Sequence, residues 1–135
     1  MADRHHHAYV WLGHGDTLIK PGDAIRRPNH PEFRTTPVMP LECANWLLKT
    51  SSLIVETFAE PDKAAHWFAE QRDEHESTFA GAYGPPTPRE DVARQLADGQ
   101  DAVGGWWLTG GRFLSVNLIA CSPHKVRTEY ACPGP

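Results

Sequence analysis

CSPHKVRTEYAC, residues 121–132, carries three side chains of the kinds that ligate metal ions: Cys121, His124 and Cys132. The two-residue gap between Cys121 and His124 lets both reach one ion, and Cys132 returns as a third ligand. A tetrahedral zinc would take its fourth ligand from Cys43 or from another histidine. The plain alternative is a small apolar Cys121 ending a strand, with His124 and Cys132 in solvent. Histidines crowd the other end of the chain, where HHHAYVWLGHGD, residues 5–16, holds four of the eight. On a strand, His5 and His7 would share a face and could share a ligand that His6 cannot join. A frayed, solvated terminus, or the remnant of a histidine tag, is the competing expectation. His14 lies between Gly13 and Gly15, where the backbone can approach a ligand closely.

The elements that would position these residues follow from periodicity. Ala8, Val10 and Leu12 alternate with Tyr9 and Trp11, which predicts a strand over 7–12. Five prolines between residues 20 and 40 (Pro21, Pro28, Pro31, Pro37, Pro40) forbid a long helix, so this stretch reads as an ordered loop. From Pro40, Leu41, Ala44, Leu47 and Leu48 repeat at helical spacing and predict a short helix to about Lys49. The β-rich run Ser52 to Phe58 predicts a strand.

Pro61 opens a helix burying Ala64, Ala65, Trp67 and Phe68, with Glu70, Arg72, Asp73 and Glu74 facing water, and fraying near Ser77. Thr87, Pro88, Arg89 and Glu90 match a capping box ahead of a helix whose apolar face is Val92, Ala93, Leu96 and Ala97, ended by Gly99. Strands over 103–108 and 112–121 flank Thr109, Gly110 and Gly111, the spacing of an antiparallel hairpin. Leu114, Val116, Leu118 and Ala120 form its apolar face, and of Trp106 and Trp107 one points in and the other out. The expected fold class is α+β: a mostly antiparallel sheet, about three helices and a C-terminal β-hairpin.

Three of these stretches resemble a known family. LGHGDTLIKPGD, residues 12–23, is similar to the first motif of small ADP-ribosyltransferases of the rifampin-modifying type, where a strand ends in a His-Gly pair and a Gly-Asp follows. VETFAEPDKAAHWFAE, residues 55–70, resembles that family's strand with a Thr or Ser and an aromatic, followed by a helix rich in alanine and tryptophan. GRFLSVNLIACSPHKV, residues 111–126, resembles its later core strand. The resemblance implies NAD as cofactor, with His14 on the ribose, Gly15 admitting the dinucleotide to the backbone and Thr57 beside it. The catalytic acid of the family would fall on Glu129. Gly13 and Asp16 stand where the family usually has an aromatic and a threonine.

At 135 residues the chain has the length of one domain, 1–135, and 40% hydrophobic residues with five tryptophans suffice for a packed core without disulfides. The net charge of −4 argues against nucleic acid as a partner, although Arg26, Arg27 and Arg34 cluster in the Pro-rich stretch and could meet an anion. No run reaches the ~18 apolar residues of a membrane span, and the N-terminus lacks the apolar core of a secretory signal. Three cysteines, an odd number, fit a reducing compartment, so the expected location is the cytoplasm. Two classes of function follow. One is an NAD-dependent ADP-ribosyltransferase-like enzyme acting on a small molecule or a protein. The other is a small non-enzymatic binding module, zinc-stabilised through Cys121, His124 and Cys132, that contacts a protein or nucleic acid.

Overall fold

The structure, a computed structural model, describes residues 4–121 and 123–134. The chain runs through β1 (His5–His14), a long irregular segment of 3-10 turns, β2 (Glu56–Phe58), α1 (Pro61–His75), α2 (Arg89–Ala97), β3 (Ala102–Leu108) and β4 (Arg112–Cys121). All strand pairs are antiparallel, and the sheet order is β2-β1-β4-β3. β1 and β4 pair along their whole length, from His5 opposite Cys121 to His14 opposite Arg112. This is the expected α+β fold, with the C-terminal hairpin β3-β4 turned through Gly110 and Gly111 at φ of 84° and 74°. No described helix is long and apolar enough to cross a membrane.

Period-two alternation divides the core between two faces of this sheet. Ala8, Val10, Leu114, Val116 and Leu118 point to one face, which α1 and α2 cover with Ala64, Ala65, Phe68, Val92 and Leu96. His5, His7, Tyr9 and Trp11 share the other face with Ile119 and Cys121. The 3-10 segment and the residues after β4 cover it, through Val38, Trp46, Leu47, Leu53, Tyr130 and Cys132. Leu118 is fully buried, so Leu118→Ala would cost about 2–5 kcal/mol.

Several expectations change in detail. β1 begins at His5, so the histidine run is ordered strand rather than a frayed end, because β4 pairs with it to the last residue. The helix expected from Pro40 to Lys49 is a 3-10 helix over Cys43–Leu48, and the strand expected from Ser52 is reduced to Glu56–Phe58 behind a 3-10 turn at Ser51–Leu53. The apolar residues in both stretches dock on the sheet from irregular backbone, which the apolar spacing alone does not reveal. The capping box does not form: Pro88 is the N-cap of α2 and no side chain caps it.

Two arginines are buried: Arg72, expected in water, and Arg26, of the arginine cluster that could meet an anion. Arg72 lies over the Phe79 ring and pairs with Glu76. Arg26 donates to the carbonyls of Leu18 (2.8 Å) and Met39 (3.0 Å), while Arg27 pairs with Asp23 and Arg34 is exposed, so the three make no common anion site. Trp107 faces out and Trp106 packs beneath the helices, as alternation requires.

Candidate metal centre

Four ligand-bearing side chains converge where β1 begins and β4 ends: His5, His7, Cys121 and Cys132. Their donor atoms all lie within 4.8 Å of one another. Strand geometry accounts for three of them. His5 and His7 are two apart on β1 and therefore share a face, and Cys121 is the register partner of His5 across the ladder. Cys132 arrives from the segment after β4. That segment is fixed to the rest of the molecule by a two-point Arg127–Glu42 pair (2.6 and 2.7 Å) and by Tyr130 donating to Asn45 Oδ1 (2.7 Å).

Three of the separations lie near the edge lengths of a coordination tetrahedron. His5 Nε2 and His7 Nε2 are 3.3 Å apart, and Cys132 Sγ is 3.2 Å from His7 Nε2 and 3.4 Å from His5 Nε2. A tetrahedral zinc with usual bond lengths would set nitrogens ~3.3 Å apart and nitrogen and sulfur ~3.6 Å apart. Burial pushes His7 down to about 4, with His5 beside it as the next cause, so this imidazole is neutral and has a lone pair to give. Its Nδ1 is 2.9 Å from Thr57 Oγ1, on the residue of β2 that pairs with His7. In the ligating tautomer Nδ1–H donates to that hydroxyl and Nε2 turns its lone pair to the cluster.

Tyr9 adds an independent observation. It is the next residue on the same face of β1, fully buried and stacked on Trp46 at 4.7 Å, and its hydroxyl has no hydrogen-bond partner among the described residues. Burial first, and then the neighbouring Cys121 and Cys132, push its pKa upward. An orphaned buried O–H costs roughly 1–3 kcal/mol unless an acceptor is supplied. Metal-bound thiolates are such acceptors, whereas the thiol of Cys132 donates to the Gly134 carbonyl (2.9 Å).

Cys121 and Cys132 thus meet, as the spacing suggested, but His124 does not join them. Its Nδ1 accepts the backbone N–H groups of Val126 (3.2 Å) and Arg127 (2.9 Å), which fixes the proton on Nε2, and Nε2–H donates to Asp101 Oδ2 (2.8 Å). Asp101 also accepts from the Ala120 backbone (2.8 Å), so His124 and Asp101 clamp the turn after β4. Cys43 reaches the same carboxylate at 3.6 Å. The order is unsuited to nucleophilic catalysis, because the carboxylate and not the imidazole faces the thiol. Burial, with Asp101 adding to it, pushes Cys43 up to about 11. His6, on the opposite face, donates to the Gln100 carbonyl (2.8 Å).

The residues singled out for a cofactor are spread over the molecule. Thr57 pairs with His7 and His14 closes the far end of β1, seven residues or ~23 Å along the strand. His14 has 64% of its side chain exposed, with Asp16 Oδ2 at 3.6 Å. The glycines around it serve tryptophans: a Cβ on Gly13 would stand 2.3 Å from the Trp11 ring, and one on Gly15 would stand 2.2 Å from the Trp107 ring. Glu129 is exposed, 3.9 Å from Arg127 Nη1.

Sequence reading allowed His5 and His7 a shared ligand, against a frayed terminus, but did not join them to Cys121 and Cys132. The usable signal was their two-residue spacing on a strand that continues into Tyr9. No family model matches this chain, and neither the curated proteins nor the solved structures include a match.

Proposed function

We propose that this chain is a small zinc-stabilised binding module, with the ion held by His5, His7, Cys121 and Cys132. The observation that carries the reading is the set of donor separations, 3.2 to 3.4 Å, among two imidazole nitrogens of β1 and a thiol 125 residues further along the chain. Two nitrogens and two sulfurs suit zinc over the hard cations, which prefer oxygen. Four protein donors close the tetrahedron and leave no position for substrate, the arrangement of structural sites. What the ion would supply is a cross-link between the start of β1, the end of β4 and the segment 123–134.

Thr57 orients His7, and a metal-bound thiolate would supply the acceptor that the buried Tyr9 O–H lacks. The exposed His14, the distance from it to Thr57 and the high pKa of Cys43 support binding over catalysis. The net charge of −4 favours a protein over nucleic acid as the partner.

Elemental analysis of protein produced without a histidine tag tests this. One zinc per chain is expected in the wild type, with loss of that zinc in His7→Ala and in Cys132→Ala. Tag-free protein that folds, stays free of zinc after refolding with the ion, and melts identically with and without chelator would overturn the reading.

A further inference from the structure

The outer edge of β3 is sealed at both ends and open between them. Trp107 gives its backbone N–H to Tyr83 Oη (2.8 Å) and accepts the Ala80 N–H on its carbonyl (2.8 Å). At the other end the Asp101 carbonyl accepts the side-chain amide of Gln95. Main-chain groups alternate in direction along a strand, so Val103 and Gly105 turn the same way as Trp107, away from β4. On that side neither has a protein partner among the described residues, and Val103 is 53% exposed. The gap offers two N–H and two C=O groups to an added chain.

A cavity flanks this gap on each face of the sheet. On the helix side it holds about 270 Å³, bordered by Phe68, Arg72, Arg89 and Trp106. On the other side it holds about 250 Å³, bordered by Met39, Trp46 and Phe113. Val103 and Gly104 line both. The glycines make this shape: the Trp106 ring leans over Gly104 and the Phe113 ring over Gly105, where a Cβ would come within 2.3 and 2.5 Å. An unpaired edge with a hollow on either face matches strand addition, in which the main chain supplies affinity and alternate side chains enter opposite pockets.

Charge selects the occupant. Arg72 is already held by Glu76 and the Gly84 carbonyl, whereas Arg89 is exposed and has no ion pair among the described residues. The opposite cavity is bordered mainly by apolar side chains. We propose that the β3 edge at Val103–Gly105 binds an extended acidic peptide as a fifth strand, one side chain carrying a carboxylate toward Arg89 and its neighbours entering the apolar cavity. This site rests on β3 and its flanks and does not require the metal.

The test uses ¹⁵N-labelled, zinc-supplemented full chain titrated with the peptide Ac-Thr-Leu-Glu-Leu-Thr-NH₂ and with its lysine counterpart, Ac-Thr-Leu-Lys-Leu-Thr-NH₂. The glutamate peptide is expected to shift the amides of residues 102–107 and 113–117 and to slow hydrogen exchange at Val103 and Gly105. The lysine peptide should bind about tenfold more weakly, and Arg89→Glu should reverse that order. Val103→Pro removes one outward donor from an edge strand, where proline is tolerated, and should abolish binding with the melting temperature retained.

Should that variant fail to fold, the reversal in Arg89→Glu carries the test. No shift at these amides with millimolar peptide, or an unchanged response in folded Val103→Pro, would overturn the proposal. So would a concentration-dependent dimer in which the same two amides are already protected, because a second copy would then hold the edge.

Discussion

Removing the metal should loosen the segment after β4 before it opens the sheet. The β1-β4 ladder and the apolar clusters on both faces stand without the ion, while Cys132 would add a tie from residues 123–134 to the strands through it. With free zinc at ~100 times its dissociation constant, the bound state gains roughly 2.7 kcal/mol over the stripped one. At about 2.1 cal/mol/K per residue, unfolding 135 residues carries an entropy of ~0.28 kcal/mol/K. Chelation should therefore lower the melting temperature by ~10 °C.

Near-ultraviolet circular dichroism reads the melt, because Trp46 stacks on Tyr9 beside the site. Hydrogen exchange followed by mass spectrometry reads the order of events. Peptides from 123–134 should lose protection on chelation while those from β4 keep theirs. Equal melting temperatures from a sample shown to contain one zinc at the start would refute the reasoning. So would simultaneous loss of protection in β4, which would mean that the ion holds the sheet itself.

Thr57→Val removes the acceptor for His7 Nδ1 and leaves the strand backbone intact, so zinc affinity should fall about 10- to 100-fold in a competition titration with a chromophoric chelator. An unchanged affinity would show that Thr57 does not orient the ring. Alkylation mapped by mass spectrometry should label Cys43 slowly with or without chelator, since a thiol pushed up to about 11 holds only ~10⁻⁴ thiolate at neutral pH. Cys132 should label only after chelation, and rapid labelling with metal bound would contradict its role as a ligand.

Lys49 gives a pH test. Burial pushes it down to about 8, against carbonyl acceptors at Phe33 (2.9 Å) and Thr36 (2.8 Å), while the unfolded chain keeps the proton to ~10.4. Between those values the unfolded state binds more protons, so stability rises with pH. Denaturant unfolding of wild type relative to Lys49→Met should then gain up to ~3 kcal/mol across that window, and a flat difference would show that the buried ammonium keeps its proton.

The strands at the two ends of the chain were legible because alternation from Ala8 to Leu12 and from Leu114 to Ala120 has only one structural meaning. α1 was legible for a similar reason, with proline marking its start. The segment between residues 15 and 55 was not, because Leu41, Ala44, Leu47 and Leu48 fit an α-helix and a 3-10 helix equally at a spacing of three. Half of the candidate metal site lay in a visible motif, Cys121 and Cys132. The other half depended on register: His5 meets Cys121 only because β1 and β4 pair from end to end, and long-range pairing leaves no local trace. His124 had the better sequence spacing but turns to Asp101, twenty-three residues away, which no periodicity could indicate.

The coordination itself is open to direct measurement. X-ray absorption at the zinc edge of the loaded protein should fit two sulfurs at ~2.3 Å and two nitrogens at ~2.0–2.1 Å, with imidazole scattering beyond. A shell of nitrogen and oxygen without sulfur would place any bound ion elsewhere and contradict the account.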